Sequence, residues 1–142
     1  MRDAANSGDW SKLENASNAP LINSRQFRQY AVTFVENHDT QTRSASEPLD
    51  PIKKDTLAAN AYLLAMPGTP CVFYRHWLDH KQAIKAMIEV RRAAGIVNTS
   101  VPTIVSREPK QYVVSVAGTK GTLLCVLGDE AENYAPDATQ YV

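Results

Sequence analysis

The sequence has few cysteines and no excess of either charge, and these absences argue against several classes of protein. Only two of its 142 residues are cysteines, Cys71 and Cys125, and they show no metal-binding spacing. Each lies in an apolar stretch, which predicts two buried thiols. Fifteen basic residues balance fifteen acidic ones, and neither sign forms a block. The chain therefore lacks the electrostatic footprint of a protein that binds nucleic acid or an anionic membrane.

Long apolar runs are also absent. The longest, Ala58–Met66, is interrupted by Asn60 and Tyr62 and is too short to cross a bilayer. The first nine residues have no apolar core of a signal peptide, and the compartment stays open. Hydrophobic residues make up 44% and charged residues 21%, which is typical of a folded globular domain. We expect neither a nucleic acid nor a membrane as partner.

Two short segments have the composition of parallel strands. Tyr30–Glu36 is a nearly continuous apolar run with β-branched and aromatic residues, which predicts a strand buried on both faces. Cys71–Tyr74 is a second compact apolar segment. Because a helical pattern separates the two, we expect parallel strands joined by a right-handed crossover.

Helix signals flank the second of these strands. Asp50–Pro51 combines an N-cap with the proline favoured at the first helical position, and Pro67–Gly68 ends that helix. Asp79–Gln82 has the form of a capping box that begins the next helix. Gly95 closes it. The fold class is therefore α/β over this part of the chain.

Beyond Gly95 the pattern changes to antiparallel strands. Three short segments are predicted as strands: Thr103–Ser106, Gln111–Ala117 and Thr122–Leu127. The Gly118–Gly121 turn joins the last two into a hairpin. We expect an α/β part at residues 1–96 and an all-β, sandwich-like part at 97–142. Two βα units cannot form a stable parallel sheet alone, so further strands must come from a longer chain or a partner chain.

Polar residues follow the first predicted strand directly. Asn37, His38 and Asp39 stand at its C-terminal tip. A carboxylate and an imidazole at the tip of a parallel strand usually face a ligand crevice. The alternative is a local turn in which Asp39 caps the backbone.

Several segments, in order, resemble the α-amylase family of glycoside hydrolases. Phe34–Thr40, Phe-Val-Glu-Asn-His-Asp-Thr, resembles the last signature region of that family. Ala65–Tyr74, Ala-Met-Pro-Gly-Thr-Pro-Cys-Val-Phe-Tyr, is similar to the segment leading into its eighth barrel strand. Gln82–Gly95 resembles its eighth barrel helix, and Met1–Trp10 the sixth helix region of plant-type and related bacterial α-amylases. From residue 97 the chain resembles the family's C-terminal antiparallel domain.

The resemblance implies a partial (β/α)₈ barrel, about its last two βα units, followed by an antiparallel β domain. A complete barrel needs roughly 250 residues. The family cleaves α-1,4-glucosidic bonds with retention, using a nucleophilic carboxylate and a general acid roughly 5 Å apart. Both groups belong to earlier strands, which this chain does not contain. The chain alone is therefore expected to be inactive, and its implied ligand is an α-glucan such as starch, glycogen or a maltooligosaccharide.

Site residues follow from the same resemblance. Asp39 is the implied catalytic residue, a carboxylate that hydrogen-bonds sugar hydroxyls and stabilises the positively charged transition state. His38 and Asn37 are the implied substrate-binding residues. Glu36 stands at a position that varies among relatives, and we do not interpret it as a second catalytic acid.

No metal site or cofactor is expected in this chain. His76 and His80 are four residues apart but have no third ligand. Calcium in full-length relatives is held mainly by earlier segments. Three aromatic residues could stack on sugar rings, although packing is their commoner role: Trp10, Tyr74 and Trp77.

Two other functions stay open. One is a non-catalytic carbohydrate-binding or interaction module derived from the family. The other is a split enzyme in which a separate chain supplies the missing barrel strands.

Overall fold

A computed structural model of the chain describes residues 1–13, 21–41, 46, 51–137, 139 and 141. Helix α1 spans Arg2–Ser7, and short 3₁₀ turns follow at Trp10–Leu13, Leu21–Asn23 and Arg28–Tyr30. The next elements are β1 (Val32–Phe34), α2 (Thr56–Ala65), β2 (Thr69–Cys71) and α3 (Tyr74–Ala94). Three further strands complete the fold: β3 (Val101–Arg107), β4 (Tyr112–Ala117) and β5 (Thr122–Leu127). No helix in these described ranges is long and apolar enough to span a membrane.

Strands β1 and β2 form a parallel pair in which Phe34 lies opposite Cys71. The predicted parallel arrangement is therefore confirmed. Strand β2 lies earlier than the predicted Cys71–Tyr74, because Gly68 turns the chain with φ +86° and the next amide donates to the Ala31 carbonyl at 2.8 Å. Residue 74 already belongs to α3.

One face of β1 is open, which contradicts the prediction of a strand buried on both faces. Val32 is 67% exposed and Phe34 49% exposed. Within the described residues only β2 pairs with β1, and no third strand extends this sheet. The prediction of two buried thiols is half wrong for the same reason. Cys71, opposite Phe34, is exposed, whereas Cys125 of β5 is buried.

Helix α2 begins at Thr56 and not at the predicted Pro51. Asp55 adopts a left-handed conformation, φ 56° and ψ 31°, which a right-handed helix cannot include. Long-range contacts also hold the preceding segment: Asn6 donates to the Pro51 carbonyl at 3.0 Å and accepts from the Lys53 amide at 2.7 Å. The predicted N-cap Asp50 lies outside the described residues.

Helix α3 begins five residues before the predicted start at Asp79. His80 has non-helical angles, φ −131° and ψ 28°, so α3 consists of two helical segments that meet at a kink. The predicted start lies one residue from this kink. Gly95, with φ 69°, ends the helix as predicted, and its amide returns to the Arg91 and Arg92 carbonyls.

Strands β3, β4 and β5 form an antiparallel sheet in sequence order. The predicted hairpin is confirmed, with the Gly118 amide donating to the Gly121 carbonyl at 2.9 Å and Val114 opposite Cys125. An irregularity between Ile104 and Ser106 shifts the register of β3 against β4.

One apolar core joins the helices to this sheet. The Tyr62 ring of α2 meets the Tyr112 ring of β4 edge-on, with centroids 6.1 Å apart. Trp10 and Val114 belong to the same cluster of buried side chains. The core thus crosses residue 96, and the division into parts 1–96 and 97–142 stays a prediction.

Candidate active site

Asn37 organises the turn that follows β1. Its Oδ1 accepts hydrogen bonds from the amides of Asp39 and Thr40, both at 3.0 Å. The backbone amide of Asn37 donates to the Thr40 hydroxyl at 3.0 Å. The turn predicted as the alternative is present, but Asn37 rather than Asp39 caps the backbone.

His38 and Asp39 project from this turn into the open. His38 Nε2 lies 3.2 Å from Asp39 Oδ1, and the two side chains are 77% and 68% exposed. A pair so exposed contributes little to stability because water screens it. Both side chains are therefore free to exchange their mutual contact for a hydrogen bond to a bound hydroxyl. The geometry offers a carboxylate acceptor beside an imidazole.

The first turn of α3 lies close to this tip. Arg75 Nη1 donates to Gln41 Oε1 at 3.2 Å, which ties the end of the turn to the helix that follows β2. Tyr74, which precedes Arg75, is 68% exposed. Trp77 is half-buried and has the Lys81 ammonium 5.8 Å from its ring centroid. Trp10, the third aromatic candidate, is fully buried in the core and is not available to a sugar.

Glu36, which the sequence analysis did not interpret as a second catalytic acid, is buried behind the tip, and the sequence analysis did not predict its partners. It is only 4% exposed although it directly precedes the exposed tip. Its Oε1 accepts a 2.6 Å hydrogen bond from the Ile52 amide, and its Oε2 lies 2.9 Å from His76 Nε2. An acid at the end of an apolar run was the available signal, since a buried carboxylate needs partners.

Asn60 completes the buried network and defines the protonation of His76. The Asn60 amide nitrogen donates to the Thr56 carbonyl at 2.8 Å and lies 3.2 Å from His76 Nδ1. Since that nitrogen is a donor, Nδ1 is an acceptor and the ring proton sits on Nε2, facing Glu36. With this assignment each ring nitrogen of His76 has a partner of the matching type, Glu36 as acceptor and Asn60 as donor.

His76 therefore has a structural partner set and does not pair with His80 around a metal. No group of three or more His, Cys, Asp or Glu side chains in the described part of the chain could hold a metal ion. The Phe73 ring also packs edge-on against His76, with centroids 5.4 Å apart.

A cavity of about 670 Å³ lies along the open side of β1. Its walls come from β1, the N-terminal helix and α2, and they include Val32, Phe34, Leu13, Ile22 and Leu63. These walls are largely apolar, unlike the polar tip at the end of the strand.

The chain is similar in sequence to known alpha-amylases. No protein-family model matches the chain. The chain is 36% identical over 91 residues to the "Alpha-amylase type B isozyme" of Hordeum vulgare, covering 62% of this chain and 58% of that protein. It is 36% identical over 105 residues to "Probable alpha-amylase 2" of Arabidopsis thaliana, covering 70% of this chain and 24% of that protein.

A bacterial relative matches more of the chain. The "Glucan 1,4-alpha-maltotetraohydrolase" of Stutzerimonas stutzeri is 32% identical over 131 residues, which is 88% of this chain and 23% of that protein. The chain thus spans just over half of the barley protein and about a quarter of the other two.

Proposed function

We infer that this chain, a relative of the alpha-amylases in sequence, is the C-terminal portion of an α-amylase-type glycoside hydrolase that acts on α-1,4-glucans. Two features of the fold support this placement. A strand, a crossover helix, a parallel strand and a second helix occur in the order that the end of a (β/α)₈ barrel requires. A three-stranded antiparallel sheet then follows, as a C-terminal β domain does.

The observation that carries the proposal is the exposure of His38 and Asp39 at the C-terminal tip of β1. Active sites of barrel enzymes lie at that end of the strands. Because Asn37 provides the backbone cap, the Asp39 carboxylate stays available to a ligand. We assign Asp39 to the sugar hydroxyls at the cleaved ring, where it stabilises the positive charge of the transition state. His38 binds a hydroxyl of the same sugar, and Asn37 shapes the turn and its substrate contacts.

A retaining glycosidase also needs a nucleophile and a general acid roughly 5 Å apart. Glu36, the acid nearest to Asp39 in the sequence, is buried, and its carboxylate already bonds to Ile52 and His76. It therefore serves neither role. The proposed nucleophile and acid therefore belong to earlier barrel strands in the same polypeptide. Those strands would fill the apolar cavity along Val32 and Phe34. The chain alone is inactive on this proposal.

Hydrolysis by a chimera tests the role of Asp39. The part of this chain that matches the Stutzerimonas relative, 88% of its length, would replace the matching segment of that protein, and release of dye from dyed starch would be measured. We expect an active chimera in which Asp39→Asn lowers kcat by about 100- to 1000-fold. Asp79→Asn, an exposed acid on α3, is the control and should change kcat little. Equal activity of the parent chimera and its Asp39→Asn variant would remove Asp39 from the mechanism.

The chain by itself gives a second test. We expect no dye release from starch, whether or not Asp39 is substituted. Hydrolysis by the isolated chain that disappears with Asp39→Asn would contradict the assignment of the nucleophile and acid to earlier strands. Strong retention on amylose resin combined with an inactive chimera would favour a carbohydrate-binding module.

A further inference from the structure

We propose that Glu36 is a positioning residue, which with His76 holds the Asn37–Asp39 tip in place for a glucan. The inference rests on the proposed function for the ligand, but its geometry is independent of it. Glu36 directly precedes the tip, and its carboxylate is buried within the fold. Because Glu36 and Asn37 are adjacent, contacts that hold the Glu36 side chain also restrict the backbone at Asn37.

The first anchor of Glu36 is the Ile52 amide, at 2.6 Å from Oε1. Ile52 lies where the chain returns after the segment 37–51. One carboxylate therefore holds both ends of that segment together, sixteen residues apart. A charge-assisted hydrogen bond of this kind is stronger than one between neutral groups. The tip is consequently pinned at its base although its side chains are exposed.

The second anchor reaches α3 and α2. His76, 4% exposed, donates from Nε2 to Glu36 Oε2 at 2.9 Å. Asn60, fully buried on α2, holds the His76 ring from its other side. Hydrogen bonds through Glu36, His76 and Asn60 thus connect the tip to α3 and α2. Buried partners of this kind hold the side chains of a site in a fixed position before a ligand binds.

The hydrogen-bond pattern requires two acceptor oxygens at position 36. Glu36 faces two N–H donors, one from Ile52 and one from His76, and a carboxylate can accept from both. The amide of Gln can accept at one position only. In Glu36→Gln, its NH₂ group would face either the Ile52 amide or His76 Nε2. The first choice sets two donors against each other, and the second moves the ring proton to Nδ1, against the Asn60 donor.

NMR on the full chain tests the proposal, with Glu36→Gln as the variant and Glu89→Gln as the control. Glu89 is exposed on α3, its side chain 64% accessible, so its substitution makes the same chemical change outside the network. In the wild type we expect imidazole nitrogen shifts of an Nε2-protonated His76 and a protected Ile52 amide. In Glu36→Gln we expect one of two changes, depending on which way the new amide faces: loss of that His76 signature, or at least about tenfold faster exchange at Ile52. In both cases we expect shifted amides at Asn37–Thr40. The control should match the wild type.

Titration with maltoheptaose adds the functional readout. We expect shifts at His38 and Asp39 in the wild type, and an affinity about tenfold lower in Glu36→Gln. Unchanged tip amides and Ile52 exchange in Glu36→Gln would overturn the positioning role. If those signals change but maltoheptaose leaves the wild-type tip untouched, the glucan assignment fails while the positioning role stands. If Glu36→Gln does not fold, the wild type decides: an Nδ1-protonated His76 would overturn the proposal.

Discussion

The guanidinium of Arg91 donates a 2.6 Å hydrogen bond to the carbonyl of Met66, across the interface between α3 and α2. It also donates to the carbonyls of Leu64 at 2.7 Å and Gly68 at 3.1 Å. One side chain therefore satisfies two carbonyls at the C-terminal end of α2, where a helix leaves such groups unpaired, and a third directly before β2. Burial lowers the pKa of Arg91 from its ordinary value. This contact fixes the junction from which β2 runs alongside β1.

Arg91→Met should destabilise the chain by about 3 kcal/mol, because three partly buried carbonyls lose a charged donor. Arg92→Met is the matched control: Arg92 is exposed on the same turn, and its loss should cost less than about 0.5 kcal/mol. Urea unfolding followed by circular dichroism measures both. Equal midpoints for the two variants would show that the carbonyl contacts add nothing to stability.

The two thiols should react very differently. Burial raises the pKa of the Cys125 thiol to about 12, whereas Cys71 is exposed. Because the thiolate is the reactive form, a disulfide reagent at pH 8 should label one thiol per folded chain rapidly and the second only after unfolding. Cys71→Ser should abolish the fast phase, and Cys125→Ser should leave it. A fast phase that survives Cys71→Ser would contradict the burial of Cys125.

Cys125 should also make stability depend on pH at the alkaline end. Its folded pKa is raised from 9.0 to about 12, so the folded state holds this proton more tightly than the unfolded state does. The resulting stability is intact below pH 9 and falls as the pH rises towards 12. The slope is about 1.4 kcal/mol per pH unit within that window. Urea unfolding of the wild type and Cys125→Val between pH 8 and about 10.5 should show the steeper fall in the wild type.

Two glycines with positive φ should differ in their tolerance of alanine. At Gly128, φ +114°, a Cβ would collide with the Lys110 carbonyl. Gly8 has φ +70°, and a Cβ there would meet only the Lys54 ammonium, at 3.6 Å. Gly8→Ala should therefore cost about 1 kcal/mol for the left-handed conformation, and Gly128→Ala at least about 3 kcal/mol. Thermal unfolding of both variants measures the difference, and similar losses would contradict the close approach at Lys110.

The open side of β1 should make the isolated chain bind hydrophobic dyes or self-associate. Phe34 is 49% exposed and lines the apolar cavity. Phe34→Ser should lower the fluorescence of bound anilinonaphthalene sulfonate and any concentration-dependent association, with little loss of stability. Tyr74→Ser is the control, since Tyr74 is 68% exposed outside the cavity. A wild-type chain that is monomeric and binds no dye would count against the proposal that earlier barrel strands cover this side of β1.

Features with local causes were predictable from the sequence. The hairpin at Gly118–Gly121 and the strand Thr122–Leu127 occur as predicted, because turn residues and a short apolar run act within a few positions. Gly95 ends α3 for a similarly local reason. The parallel pairing of β1 and β2 followed from the intervening helix pattern.

Element boundaries depended on contacts that no local pattern contains. Residues 51–53 are held by Asn6 and by Glu36, so α2 starts at Thr56 although Pro51 suits a helix N-terminus. The early start of β2 follows from Gly68 and its neighbour meeting the Ala31 carbonyl. Contacts across 16 to 47 positions decide these points.

For the site, the sequence by itself determined which chemistry stands at the tip of β1: an amide, an imidazole and a carboxylate in succession at Asn37, His38 and Asp39. Only the tertiary structure decided which of them caps the turn and which face solvent. It also decided that Glu36 is a buried anchor, because its partners His76 and Ile52 are brought to it by folding. Residue types are local information, whereas burial and hydrogen-bond partners arise when distant segments pack together.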